Sequence, residues 1–550
     1  MFKSNKKHEC KELFGVKNIL PENLQKMYNG SWAKSFYENV FTKINEDIFS
    51  VLFSQKYSRP NTPVNVYVSL EILKENFGLS DEDLLERFHF DNMFLLALGI
   101  NNIGDMTISQ RAFYYMRSRV VEYDEENKTS LFNMILKDIN EDYYKEFGIS
   151  SKIKRIDSTL IGSNIRRLNR IKLFLEVIRL FLEELGESKL NLLSDEIKAF
   201  KDIAVENYVY KLGKEETRKK ETEVALDLYK IEMLFKDDES IKCLESYKNI
   251  ERVVSEQLKI DENGNVEMKD KTEIKSDSLQ SPHDTDATYR DKGEQAKQGF
   301  SLTGVETCEE ENVIQLIDDI IVDKNNKDDS IILEENFDNI TSNGTDELIV
   351  DGAYMNKNVA EKSEEKGINI ITTAIRGKKP DDDKLSSCDF VIEDDKIVSC
   401  PMGKTPVKTE NQDDKIVACF STSDCKNCQL NCPIRKNKKK DNVLEFHKSK
   451  IFIDKQRRKF GNKEYLKKCR LRPAIEGTMF QLKLHLRNGK SRFRGLVKNR
   501  MRANIRVISI NFRRVYAYMT QDSFFYLFIF RISICWKNII PFPKNCYFFS

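Results

Sequence analysis

Strands and helices alternate between residues 299 and 375, and this alternation most limits the folds open to the chain. β-branched and apolar runs such as ELIV, which precedes Asp351, and INIITTAI are typical of buried strands. The segments SIILEENFDNI and NKNVAEKSEEKG lie between such runs and have helical periodicity. Strands followed by helices indicate an α/β core. A further strand, KIKRIDSTLIGS, carries Asp157 inside it.

The length and the local patterns predict several structural units. At about 150 residues per domain, 550 residues exceed a single ordinary core. Residues 35–122 have apolar residues at helical spacing, and residues 165–280 run as long, charged, helix-period segments. The predicted units are an N-terminal all-α domain over 1–150, core segments over 151–165, 281–377 and 451–522, a helical insertion over 166–280, a Cys-rich insertion over 378–450 and an aromatic tail over 523–550.

Basic residues concentrate near the C-terminus. Between Pro433 and Arg514 the sequence has 27 Lys and Arg against five acids, whereas the net charge of the whole chain is +2. A block of this size is the pattern expected of a surface that neutralises phosphates, although a basic run often marks only a solvated face. The charge distribution makes double-stranded DNA a candidate partner.

The N-terminal domain contains a candidate DNA-contacting helix. The segment ISQRAFYYMRSRVVEY follows a turn-like stretch, and Thr107 or Ser109 could cap it. Arg111 and Arg117 are the side chains that such a helix would present to DNA. The alternative interpretation is an ordinary helical bundle.

The ends of the chain predict a cytoplasmic protein without a membrane span. The N-terminal sequence MFKSNKKHEC has no apolar run after its lysines, so we expect no secretory signal. In the aromatic tail, Arg531 interrupts the run FFYLFIF before the roughly 20 apolar residues that a membrane helix needs. Twelve cysteines in such a chain favour thiols or a metal site over disulfides.

The cysteines cluster within the Cys-rich insertion. Cys425, Cys428 and Cys432 are closely spaced, and Cys400 or Cys419 could supply a fourth thiolate. Four such ligands would make a tetrahedral zinc site. The alternative is a set of reduced thiols that bind no metal.

Two carboxylates are predicted to lie at the carboxyl edge of the sheet. Asp351 ends ELIVD, and Asp157 follows the strand residues KIKRI. This edge is where α/β sheets bind ligands, and strand-borne carboxylates suit hard divalent cations. Each Asp alone could equally be a strand-end cap. Asp284 and Asp286, in SPHDTDATYRDKG, are interpreted as turn residues outside the site.

A third acid lies between two cations further along the chain. Arg472, Glu476 and Lys483 are spaced by four and seven residues, which predicts that they share one helical face. The carboxylate could complete a metal site while the two cations hold a phosphate. The alternative is a surface helix with an ordinary Arg–Glu pair.

The three acidic motifs carry a family resemblance. RIDST at Asp157, LIVDGAYMNKN at Asp351 and RPAIEGTMFQLK at Glu476 resemble the catalytic blocks of DDE insertion-sequence transposases. The last block is similar to the family's Tyr, Arg, Glu, Lys signature, with Cys469 where the family usually has Tyr. The segment SRFRGLVKNRMRANI and residues 35–122 also resemble family regions. The resemblance implies a ribonuclease-H-like catalytic core split by the two insertions.

The resemblance also implies an activity. The chain would be a bacterial transposase that cleaves DNA and transfers strands at terminal inverted repeats, with magnesium or manganese held by Asp157, Asp351 and Glu476. The residues expected to contact terminal or target DNA are Arg472, Lys483, Arg492, Arg494, Lys498, Arg111 and Arg117. The need to join two ends suggests a homodimer or a higher oligomer. Two alternatives remain open: a metal-dependent nuclease without strand transfer, and an inactive DNA-binding remnant.

Overall fold

The computed structural model describes most of the chain. The described residues are 1–9, 19–54, 56, 61–210, 213–292, 295–374, 384–412, 414–426, 428–434 and 442–520. The expected aromatic tail over 523–550 and the lysine run at 436–440 lie outside them. No helix within the described ranges combines the length and the apolar character needed to cross a bilayer.

The N-terminal part is helical, as its periodicity predicts. Its helices are α1 (Glu22–Asn29), α2 (Trp32–Asn39), α3 (Val64–Phe77), α4 (Asp81–Phe90), α5 (Asn92–Ala97), α6 (Gln110–Glu126) and α7 (Leu131–Phe147). Ser109 rather than Thr107 caps α6, because its Oγ accepts the Ala112 N–H at 3.2 Å. Gly78 ends α3 in the left-handed conformation (φ 67°) that glycine adopts without strain.

The first strand of the sheet, β1 (Ile153–Gly162), is followed by a helical segment with a core of its own. Its elements are α8 (Arg170–Glu184), α9 (Glu187–Leu190), α10 (Asp195–Lys198), α11 (Val205–Val209), α12 (Lys214–Phe235), α13 (Glu239–Lys242), α14 (Glu245–Gln257), β2 (Leu258–Ile260) and β3 (Val266–Met268). Phe181, Phe235 and Tyr247 lie in its hydrophobic cluster, whose buried members all come from residues 171–279. This segment therefore buries its apolar faces against itself.

The central sheet is mixed, which makes this an α/β protein. Its further strands are β4 (Thr288–Lys292), β5 (Gln295–Thr307), β6 (Ile317–Lys324), β7 (Glu347–Val350) and β8 (Asn369–Thr372). β1 pairs antiparallel with β5 on one side and parallel with β7 on the other. β6 continues the antiparallel side and β8 the parallel side, while β4 pairs with the first part of β5. β1 thus lies at the centre of the sheet.

One face of the sheet is covered by α15 (Asp329–Ile340) and α16 (Lys357–Lys366). Side chains such as Ile156 and Val350 point from the strands into this layer and pack against Phe337. Since side chains alternate along a strand, Arg155, Asp157 and Ile349 belong to the opposite face. That opposite face carries the candidate site.

The Cys-rich segment forms a small layer around a separate cluster. Its elements are β9 (Val391–Glu393), β10 (Lys396–Ser399), β11 (Lys408–Gln412), β12 (Lys415–Phe420), α17 (Thr422–Lys426), β13 (Asn442–His447) and α18 (Lys448–Lys459). β11, β12 and β13 pair antiparallel in that order. Phe390, Phe420 and Phe446 are buried between these strands and their neighbours.

The C-terminal helices are α19 (Lys463–Cys469), α20 (Ile475–Lys483) and α21 (Leu496–Thr520). The helical region expected from about Arg472 to Met519 is therefore interrupted by a loop at residues 484–495. α21 packs between the sheet and the N-terminal helices, where Phe512 meets Phe36 with ring centroids 5.2 Å apart. The N-terminal helices share one hydrophobic core with α21 and the sheet, so residues 1–150 do not have a separate core.

Candidate active site

Asp157 stands in the middle of β1, opposite Gly304 of β5. A Cβ atom on Gly304 would lie 2.7 Å from Met479 Cε and 3.5 Å from Leu482 Cδ1, so side chains of α20 pack directly over this part of the strand. Glu476 lies one turn before Met479 in α20. Glu476 therefore lies on a helix that packs against the strand that carries Asp157.

Asp351 immediately follows β7, the parallel neighbour of β1. Arg155 pairs with Ile349, so Asp157 and Asp351 each lie two residues beyond the same paired position. Burial raises the pKa of Asp157, and the nearby negative charge of Asp351 raises that pKa further, while Arg472 opposes both effects. The two carboxylates predicted at the sheet edge are thus close enough to interact electrostatically.

Arg472 forms an ion pair with Asp157. The distance from Arg472 Nη2 to Asp157 Oδ1 is 3.0 Å, and the two side chains are only 17% and 18% exposed. Arg472 lies in a 3₁₀ turn, Arg472–Ala474, that leads directly into α20. The expected helix is present, but Arg472 lies in the tighter 3₁₀ turn that precedes it. The Arg472 side chain forms its ion pair with Asp157 of the sheet and not with Glu476.

Glu476 is exposed near the start of α20. In the part of the chain that the structure describes, no group of three or more His, Cys, Asp or Glu side chains is placed to hold a metal ion. The fold therefore brings Asp157 and Asp351 together. Glu476 lies on the adjoining helix and does not join them in a three-residue metal site.

A buried ion network that the sequence did not reveal fixes this arrangement. Glu306 of β5 is 1% exposed and accepts hydrogen bonds from Arg155 Nε, Thr478 Oγ1 and Arg514 Nη1, each at 2.6 Å. Arg155 Nη1 also donates to the carbonyl of Leu471, next to Arg472, at 2.7 Å. One carboxylate thus connects the strand of Asp157 to the helix of Glu476 and to α21.

Cys469, where the family usually has Tyr, lies at the end of α19. Its Sγ is 3.7 Å from the carbonyl oxygen of Thr372 in β8. Tyr465, one turn earlier, donates its hydroxyl to the same carbonyl at 3.1 Å and accepts the Thr372 N–H at 2.9 Å. Burial raises the pKa of both side chains. Tyr465 and Cys469 therefore fasten α19 to the sheet.

The two arginines of α6 that are predicted to contact DNA differ in exposure and in their partners. Arg111 is exposed. Arg117 is only 11% exposed, and its guanidinium binds Asp81 and Glu71, with an Nη2–Oδ1 distance of 2.8 Å to Asp81. Arg117 therefore links α6 to α3 and α4, and its contact with DNA stays a prediction. Arg111 remains a prediction.

The basic residues after α20 are accessible. Arg492, Arg494 and Lys498 are exposed, and Lys483 is partly exposed. Arg492 donates to the carbonyls of Leu79 and Gly78, and Arg494 Nε donates to the carbonyl of Asn164 at 2.9 Å. These bonds orient the side chains, and their contact with DNA stays a prediction.

Asp284 and Asp286 hold the chain around the site. Asp284 accepts a hydrogen bond from Ser163 Oγ, just after β1, and Asp286 Oδ2 accepts the Leu496 N–H at 2.8 Å. The second bond supports the start of α21. Both acids thus have structural partners.

The cysteines predicted to bind zinc are all partly exposed. Cys400, Cys425 and Cys432 pack beside the cluster that contains Phe390, and Cys428 is half-buried. Among the described residues these thiols do not form a group placed to hold a metal ion. The zinc site stays a prediction.

The comparison with protein families adds independent evidence. Residues 399–516 match a family model described as a transposase DDE domain. This DDE domain indicates a transposase. The match contains Arg472, Glu476 and Lys483, and it supports the family resemblance drawn from the motifs. Neither curated proteins nor solved structures gave a match. Because transposases act on DNA, the match supports DNA as the expected partner.

Proposed function

We propose that the chain is the transposase of a bacterial insertion sequence, which cleaves DNA at the terminal repeats of the element and transfers the cut strands to target DNA. One observation carries this proposal: Arg472, inside the DDE domain, pairs with Asp157, which lies beside Asp351 on the central sheet. Three distant segments of the chain therefore meet at one place.

The catalytic core would be ribonuclease-H-like. The arrangement of the sheet supports this proposal, because β1 lies between antiparallel strands on one side and parallel strands on the other. The first two acids lie in and after adjacent parallel strands, and the third lies on a helix packed against them. The helical and Cys-rich segments would be insertions in this core.

Asp157, Asp351 and Glu476 would hold magnesium or manganese. Carboxylate oxygens are the donors that these hard cations prefer. The repulsion between Asp351 and Asp157, which raises the pKa of Asp157, is what a bound cation would offset. When bound, two divalent cations would activate the attacking oxygen and stabilise the leaving oxygen of an in-line displacement.

The cationic side chains would position the DNA. Arg472 offers a planar guanidinium next to Asp157, suited to a phosphate oxygen. Lys483, seven residues further along, would hold the adjoining backbone. Glu306 would position these cations indirectly, because its hydrogen bonds to Arg155 and Thr478 hold α20 against the sheet.

An inactive DNA-binding remnant is the second candidate, and Cys469 is the observation that favours it. Its Sγ lies 3.7 Å from the carbonyl oxygen of Thr372, and a thiol lacks the aromatic ring and the phenolic hydroxyl that a tyrosine would offer to DNA. A nuclease without strand transfer would use the same carboxylates.

The test is to incubate the full chain with magnesium or manganese and duplexes that carry the DNA ends flanking its gene. Joined products are expected, and they would establish strand transfer. Nicks without joining would indicate a nuclease, and binding without either product would indicate a remnant. Cross-linking during the reaction would show whether the active form is a dimer or a higher oligomer.

A further inference from the structure

The loop between α20 and α21, residues 484–495, is bonded to the end of β1. The Gly162 N–H donates to the carbonyl of Gly489 at 2.9 Å, and the Ser491 N–H donates to the carbonyl of Gly162 at 2.8 Å. The loop thereby holds its basic side chains against the end of the strand that carries Asp157.

A lysine from a different part of the chain meets this loop. Lys297 of β5 donates its Nζ to the carbonyl of Leu160 at 3.2 Å. A Cβ atom on Gly489 would lie 3.9 Å from that Nζ, so the loop backbone passes directly beside the ammonium group. Lys490 donates from the loop to the carbonyl of Ile165 at 2.6 Å.

These cations lack acidic partners. Within the described ranges, the side chains of Lys297, Lys483 and Lys490 form no ion pair, and Lys297 and Lys490 bond only to carbonyl oxygens. Burial lowers the pKa of Lys297, and the charge of the nearby Lys483 lowers it further. Lys297 and Lys483 thus bring two neighbouring positive charges to the loop, and Lys490 follows Gly489 in the same loop. Positive charges that form no ion pair in the described ranges are suited to an anion with several oxygens.

We propose that Lys297, together with Lys483 and Lys490, binds a backbone phosphate of the DNA close to the scissile phosphate. This rests on the proposed function for the identity of the ligand. Leu160 lies three residues beyond Asp157, about 10 Å along the strand. Since a DNA strand advances about 3.4 Å per nucleotide, Lys297 would contact the backbone within about three nucleotides of the cleavage point.

The first test measures binding of a 30-base-pair duplex as a function of salt. Removing one phosphate contact should reduce the slope of log affinity against log salt by about 0.9. Lys297→Gln should show this reduction, and Lys297→Arg should keep the slope of the unchanged protein. Lys152→Gln is the matched control, because Lys152 is exposed at the opposite end of β1 and should leave the slope unchanged.

The second test needs no substitution and so does not depend on the folding of a variant. The full chain is acetylated with and without the duplex, and the modified lysines are quantified by mass spectrometry. The duplex should protect Lys297 and leave Lys152 reactive. An unchanged slope in folded Lys297→Gln, or acetylation of Lys297 that DNA does not reduce, would overturn the proposal. Both readouts are independent of cleavage, so a protein that binds in this way without cutting would contradict only the proposed function.

Discussion

The two predicted metal sites of this protein are built in different ways. Asp157 lies in β1, and Asp351 immediately follows β7, the strand that pairs in parallel with β1. The cysteines lie in a segment of short strands and loops, where Cys400, Cys425 and Cys432 border a hydrophobic cluster. Among the residues that the structure describes, neither the carboxylates nor the cysteines form a group of three placed to hold a metal ion. Burial raises the pKa of Asp157, and the negative charge of Asp351 raises it further.

The difference shows what defines a site before any ligand binds. Pairing between strands fixes the relative positions of residues that are far apart in sequence. The buried network around Glu306 then holds α20 and α21 against these strands. Close spacing along a loop fixes no such geometry. A zinc ion would have to organise the cysteines itself, as structural zinc sites do when metal binding is coupled to folding.

The largest effect on stability is expected at Glu306. Glu306→Gln removes the charge that Arg155 and Arg514 share in the interior, and an uncompensated buried charge costs about 3–5 kcal/mol. The free energy of unfolding, measured in urea, should fall by about that amount. Glu310→Gln is the matched control, because Glu310 forms an exposed pair with Lys467 worth under about 1 kcal/mol. Equal losses in the two variants would show that the network does not hold the sheet and the helices together.

Substitution of the cysteines is expected to have an intermediate effect on stability. If four thiolates converge, protein purified without chelator should contain about one zinc per chain. The double variant Cys425→Ser, Cys428→Ser should lose that zinc and become sensitive to proteolysis within residues 384–459. Cys243→Ser is the control, since Cys243 is exposed and lies far from the cluster in sequence. If metal analysis finds no zinc in the unchanged protein, the zinc site is contradicted, and the cysteines are reduced thiols that bind no metal.

The smallest effect is expected at Asp157 itself. Its folded pKa is raised, chiefly by burial, so the native state binds more protons than the unfolded state in the window above the ordinary pKa of Asp. Stability should therefore fall as pH rises through that window. Asp157→Asn removes this penalty and should be more stable than the unchanged protein at pH 7, with the difference shrinking at pH 3. A variant that is less stable at pH 7 would show that the Arg472 pair outweighs burial.

The local elements of the site could be predicted from the sequence, because each depends on short-range patterns. The strands that deliver Asp157 and Asp351 and the helix of Glu476 all lie where β-branched runs and helical spacing place them. The parallel and antiparallel pairing of the strands, which brings these elements together, could not be predicted from any single segment.

Long-range ion pairs could not be predicted. Arg155 and Glu306 are 151 positions apart, and neither stands out from other charged residues in its strand. The sequence around Arg117 likewise gives no sign of its ion pairs with Glu71 on α3 and Asp81 on α4. The charge of a residue can be read from the sequence, whereas its partner depends on the tertiary fold.

The most direct measurement compares DNA binding and cleavage in Asp351→Asn. The substitution removes a ligand charge and keeps the shape of the side chain, so binding of transposon ends should be retained while cleavage in magnesium is lost. Asp157→Asn and Glu476→Gln should behave in the same way. Asp346→Asn, an exposed change at the other end of β7, should bind and cleave normally. Normal cleavage by folded Asp351→Asn would contradict the account.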